Sequence, residues 1–159
     1  MNASRQIRWL CFMFLMMVVL FGCTRLPQQE IEKQIIEKEK KILDEWGKGH
    51  TMIFTANSAD EITYFDPSLA KRLNGVKEFT ELLKPIENKF TIDKYEIVNP
   101  KVQVHGEIAV LTYNLVYYAK NQQWEMKSFS WNTTEVYRKS GNDWKIIHSH
   151  WSFTKPKLK

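Results

Sequence analysis

The stretch IAVLTYNLVYYA, residues 108–119, decides the fold, because its odd positions Ala109, Leu111, Tyr113, Leu115 and Tyr117 are all apolar or aromatic. That is the two-residue period of a strand with one face buried. Gly106-Glu107 provides a turn on its N-terminal side, and before the turn residues 95–104 form another strand. Asn99-Pro100 interrupts this strand at an expected bulge, since proline cannot donate to a ladder. On the C-terminal side, residues 127–139 place Phe129, Trp131, Thr133, Glu135 and Tyr137 on one face and Ser128, Ser130, Asn132, Thr134 and Arg138 on the other. Ser140-Gly141-Asn142-Asp143 makes a hairpin turn into a closing strand over 144–153. Four strands joined in sequence predict an antiparallel meander.

The chain before the meander is helical in period. Over 28–46, Ile31, Ile35, Ile42 and Trp46 share one stripe flanked by Ile36 and Leu43. The Lys and Glu residues of this helix, with pairs such as Glu37 and Lys41 at helical spacing, read as a solvated face. Gly47 and Gly49 end it. A short strand at 61–65 closes at Asp66-Pro67. A second helix over 76–86 carries Val76, Phe79, Leu82, Leu83 and Ile86, opened by Asn74-Gly75, with a kink expected at Pro85. Helices segregated from strands define an α+β class.

The chain has 159 residues, 43% of them hydrophobic and 13% aromatic, enough for one packed domain. Formal net charge is +5. Arg5 and Arg8 belong to a leader, which leaves the mature part with 21 basic and 18 acidic residues, interleaved along the chain. A phosphate-tracking surface would cluster its cations, so nucleic acid is not expected as a partner. In the leader, two arginines precede an apolar run from Trp9 to Phe21, followed by Gly22 and Cys23. The order of these regions is that of a secretory signal, and the run is short of the roughly 20 residues that a spanning helix needs. Leu20-Phe21-Gly22-Cys23 resembles a bacterial lipobox. That resemblance implies a signal peptide at 1–22, a lipidated Cys23 with a short tether to residue 27, and a domain at 28–159 anchored in the cell envelope, facing out of the cytoplasm. Acyl chains on Cys23 would hold it at the membrane. Cys11 leaves with the leader, so no disulfide forms after Cys23 and core packing must hold the domain together.

Across residues 28 to 157 the chain resembles the nuclear transport factor 2-like superfamily. The segments Ile62-Thr63-Tyr64-Phe65-Asp66-Pro67, Asn99-Pro100-Lys101-Val102-Gln103-Val104 and Trp144-Lys145-Ile146-Ile147-His148-Ser149-His150 are similar to its SnoaL-like and DUF4440 members. The association domain of calcium/calmodulin-dependent protein kinase type II is similar in Phe65-Asp66-Pro67, Asn99-Pro100, Gly106-Glu107 and His148-Ser149-His150-Trp151-Ser152. The resemblance implies a cone in which helices close one side of a curved sheet, a pocket between them, and a homodimer formed through the sheet. It implies no single reaction, because a shared fold does not fix chemistry. Val116, Glu135 and Trp151 stand where the family carries pocket arginines, which argues against an anion pocket of that kind.

Glu135 is an acid on an otherwise aromatic strand face. Burial there would raise its pKa, suiting it to proton transfer or to binding a ligand; the other reading is a polar residue satisfied by a neighbouring tyrosine or histidine. His148 and His150 are two apart on a strand and share a face. They can be structural, or one can pair with Glu135 as a catalytic dyad, while a metal would need further ligands that the spacing does not supply. Asp66 is a catalytic candidate at the mouth of a strand, and equally a turn initiator whose carboxylate binds nearby amides. Tyr64, Tyr113, Tyr117 and Trp131, with Glu135 and His150, are the expected ligand-binding set, suited to a small apolar or aromatic ligand, unless the aromatics simply fill the core. No glycine-rich phosphate loop, nucleophile elbow or zinc-spaced cysteine set is present, so neither cofactor nor metal is expected. The sequence therefore supports a membrane-tethered module binding a small apolar ligand, with two alternatives: a lyase or isomerase using Glu135 and a histidine, or a structural dimer without a ligand.

Overall fold

The computed structural model describes residues 27–120 and 124–155. The leader and Cys23 lie outside them. Among the described residues no helix is long and apolar enough to cross a membrane. The elements run α1 (Gln28–Gly47), α2 (Met52–Ala56), β1 (Ser58–Phe65), β2 (Leu73–Asn74), α3 (Gly75–Leu83), a 3₁₀ turn (Lys84–Ile86), β3 (Lys94–His105), β4 (Ile108–Lys120), β5 (Met126–Ser140) and β6 (Asp143–Phe153). The six strands form one sheet in the order β2-β1-β6-β5-β4-β3. The four-strand meander is continuous and antiparallel, and β1 joins its β6 edge in parallel. The architecture is the expected α+β cone.

The stripe on α1 buries Ile31, Ile35 and Ile42 against the inner face of the sheet, where Ala109, Leu111, Tyr113 and Leu115 of β4 and Tyr137 of β5 complete the core. The odd positions of β4 therefore point inward as their period requires. Register in β3 slips between Val98 and Lys101, at the expected Asn99-Pro100 bulge, where Asn99 takes φ 50°. The second helix ends at Leu83, three residues sooner than its spacing predicts. Pro85 lacks the N–H that an α-helical turn would use, and the chain tightens there into the 3₁₀ turn. Strand β1 begins at Ser58, three residues before the start expected from the sequence, and the short elements α2 and β2 carry no periodic signal that would announce them.

One substantial correction concerns α1. The spacing of its Glu residues predicts a solvated face for them, yet Glu39 is completely buried. It sits between Ile35 and Ile42 on the apolar stripe, four residues from one and three from the other, so it faces the sheet with them.

Candidate functional site

Two carboxyl groups lie inside the fold. Glu39 accepts hydrogen bonds from the hydroxyl of Tyr113 at 2.6 Å on one oxygen and from the hydroxyl of Tyr137 on the other. Glu135, also fully buried, accepts at Oε1 from Ser149 Oγ at 2.8 Å, and Ser149 Oγ in turn accepts from the indole N–H of Trp151 at 2.9 Å. Its Oε2 has no protein partner among the described residues. Burial raises the Glu135 pKa well above the ordinary value, the nearby Glu39 adds to the rise, and the bond from Ser149 and the neighbouring Trp151 indole N–H oppose it. Glu39 is raised by burial against the lowering effect of its two tyrosines.

Beside this polar core is a cavity of about 300 Å³. Its walls come from α1 (Trp46), α2 (Phe54), β1 (Tyr64), α3 (Phe79, Leu82, Leu83) and the sheet (Trp131, Trp151), with Ser68 and Ile86 exposed at its rim. Tyr64 stacks on Phe79 at a centroid distance of 4.5 Å, and the edge of Phe54 meets Trp151 at 6.3 Å. The lining is almost entirely apolar. Its one carboxylate, Asp66, is held by its own turn: the backbone N–H and the hydroxyl of Ser68 donate to Oδ1, and Tyr64 donates to Oδ2 at 3.0 Å. Burial pushes the Tyr64 hydroxyl upward, keeping it a donor.

The other candidates divide. Tyr64 and Trp131 line the cavity. Tyr113 is spent on Glu39, and Tyr117 lines a separate groove beyond Trp46. Glu135 lies behind the cavity wall, linked to it through Ser149 and Trp151.

His148 and His150 correct the expectation. Plain alternation from the buried Trp144 and Ile146 would carry both inward. Instead β6 bulges: Tyr137 opposes Ile146 and Val136 opposes His148, leaving Ile147 without a partner. The extra residue inverts the phase, so Ser149 and Trp151 point inward while both histidines face out. His148 Nδ1 lies 2.7 Å from Thr63 Oγ1, and burial lowers its pKa, followed by the charges of His150 and Arg72. His150 is exposed beside Phe65. The expected contact between Glu135 and a histidine is not made; Ser149 takes that place. Among the described residues no cluster of three or more His, Cys, Asp or Glu is positioned for a metal ion.

An aromatic cavity between helices and a curved sheet leads to the family. The profile of the SnoaL-like domain family matches residues 48–156, and the chain belongs to that family. A candidate ketosteroid isomerase from Parabacteroides distasonis ATCC 8503 is 38% identical, with a TM-score of 0.67 over 77% of this chain and 86% of that one. The association domain of the C. elegans kinase CaMKII superposes with a TM-score of 0.69 at 20% identity, covering 79% of this chain and 97% of its own. A nuclear transport factor 2-like protein of Salmonella enterica gives 0.67 at 17% identity, over 83% and 96%. These last two likenesses show the nuclear transport factor 2-like fold. Nothing among curated proteins matches the chain significantly.

Proposed function

We propose that this chain is a membrane-tethered, extracytoplasmic binding module whose inner cavity takes a small, largely apolar, ring-bearing ligand. The observation that carries this reading is the cavity itself, about 300 Å³ in volume and walled by six aromatic side chains of three types, Trp46, Phe54, Tyr64, Phe79, Trp131 and Trp151, together with leucines. An open space of this kind weighs against a purely structural dimer with a filled core. The name of the Parabacteroides relative points the same way, since a ketosteroid is a fused-ring, mainly apolar molecule. Binding is favoured over proton transfer because Glu135 is sealed behind Trp151 and both histidines are on the other face. Cys23 supplies the tether, and a homodimer is expected through the outer face of the sheet.

The test is native mass spectrometry of the protein extracted gently from its own membranes. The expected result is a diacyl or triacyl mass increment at Cys23 and a retained apolar ligand. Ile86→Trp, which fills the rim without touching the core, should release that ligand. Retention undiminished by Ile86→Trp would count against this cavity, and an unmodified Cys23 would count against the tether.

A further inference from the structure

We propose that the ligand is elongated and ends in a carboxylate, with its apolar body in the inner cavity and its anionic end in an outer groove between Lys89 and Lys120. This rests on the reading of the inner cavity given above. The groove, about 610 Å³, is lined by Phe90, Ile92, Tyr117 and Phe129 along with the two lysines, and it shares Trp46 with the inner cavity. Trp46 is therefore the partition between two apolar spaces. Its ring meets those of Phe54, Phe90 and Tyr117 edge-on, at 6.4 Å, 5.4 Å and 5.7 Å.

Two further features favour a ligand that crosses the partition. The Trp131 indole N–H is buried without a hydrogen-bond partner among the described residues, on a residue diagonal to Tyr117 across the β4–β5 pair. An oxygen of the ligand passing there would satisfy it. In addition, Lys89 and Lys120, like most of the lysines, have no carboxylate within 4.0 Å among the described residues. The groove contains one acid, Asp93, against two cations. Lys120 Nζ stands 5.4 Å from the ring of Trp124, which is 79% exposed. An aromatic-walled groove with a surplus cation at its edge complements a chain that ends in a single negative charge.

The experiment is a tryptophan-fluorescence titration of the mature chain carrying Cys23→Ser, using dodecanoate and dodecanol as probes. The expected result is at least fivefold tighter binding of dodecanoate. The double variant Lys89→Gln with Lys120→Gln, both on the surface, should abolish that preference while leaving dodecanol within twofold. If dodecanol binds and the charge variant changes nothing, the inference fails and the inner cavity stands. If neither probe binds, both fail. Phosphatidylglycerol vesicles distinguish the source of the anion: sedimentation of the wild type but not the double variant, without a preference for dodecanoate, would make the lysines a bilayer contact and overturn the proposal.

Discussion

The hydroxyl of Tyr113 donates to Glu39 Oε1 at 2.6 Å, tying β4 to the buried side of α1. With Tyr137 on its other oxygen, this carboxyl is the polar fastening between the first helix and the sheet. Glu39→Ala removes the acceptor of two buried hydroxyls and leaves a void, and is expected to lower stability by about 3–5 kcal/mol. Glu39→Gln keeps the volume, one acceptor oxygen and a donor that a tyrosine oxygen can accept, so about 1 kcal/mol is expected. Urea unfolding of both variants checks the order, and equal losses would contradict the fastening role.

The buried Glu135 sets an unusual dependence on pH. Its pKa is raised in the fold from the ordinary 4.5, so above that pH the native state holds a proton that the unfolded chain has lost. Its contribution is present in full below about pH 4.5 and disappears as pH climbs through the raised native value, with a slope of about 1.4 kcal/mol per pH unit in between. Because Glu39 is raised as well, the two carboxyls titrate as a pair. Glu135→Gln, which cannot ionise, should flatten the fall in the urea midpoint between pH 5 and pH 9. Parallel wild-type and variant profiles would show that Glu135 is not buried as a neutral acid.

Much of this fold is visible in the sequence, because β4, β5 and α1 each bury one face and their periods show it. The alternation in 108–119 and the distinct faces of 127–139 reappear as the burial of Leu111, Leu115 and Tyr137. What escaped depends on partners far along the chain. Helix α2 has only five residues, and its first turn is capped by Glu87, which accepts from Thr51 Oγ1 and from the Met52 N–H at 3.0 Å, 36 and 35 residues away. Glu39 was legible in principle, since it occupies the stripe position between Ile35 and Ile42, but a charged residue at helical spacing normally indicates solvent. Of the expected ligand set, Tyr64 and Trp131 reach the cavity through strand alternation alone, while Trp46, Phe54 and Phe79 arrive from three helices whose docking no local pattern shows.

Gly49 is a point where the backbone itself positions the site. It takes φ +92°, and a Cβ placed there would lie 2.6 Å from the carbonyl oxygen of Phe90. Its own carbonyl accepts from the Asn88 N–H at 2.9 Å, so this close approach holds the segment after the 3₁₀ turn against the end of α1 and seats Phe90 beside Trp46. Gly49→Ala is expected to cost about 2–3 kcal/mol, from the left-handed backbone together with the clash against an atom that cannot rotate away. Thermal unfolding checks this. A variant as stable as the wild type would mean that the two segments are not in contact.

The bulge at Ile147 makes neighbouring residues of β6 functionally unequal, and binding should reveal it. Trp151 forms part of the cavity wall and also donates to Ser149, whose hydroxyl is bonded to Glu135, whereas His150 next to it faces away beside Phe65. Trp151→Phe keeps an aromatic wall of smaller area, which should weaken ligand binding about threefold to tenfold, in line with roughly 1 kcal/mol of lost apolar contact. His150→Ala and His148→Ala should leave affinity within twofold, since neither imidazole reaches the cavity. Fluorescence titration with the same apolar probe checks all three variants, using Trp46 and Trp131 as reporters that remain in Trp151→Phe. A large loss in His150→Ala with none in Trp151→Phe would restore the uninterrupted alternation and place the histidines inside after all.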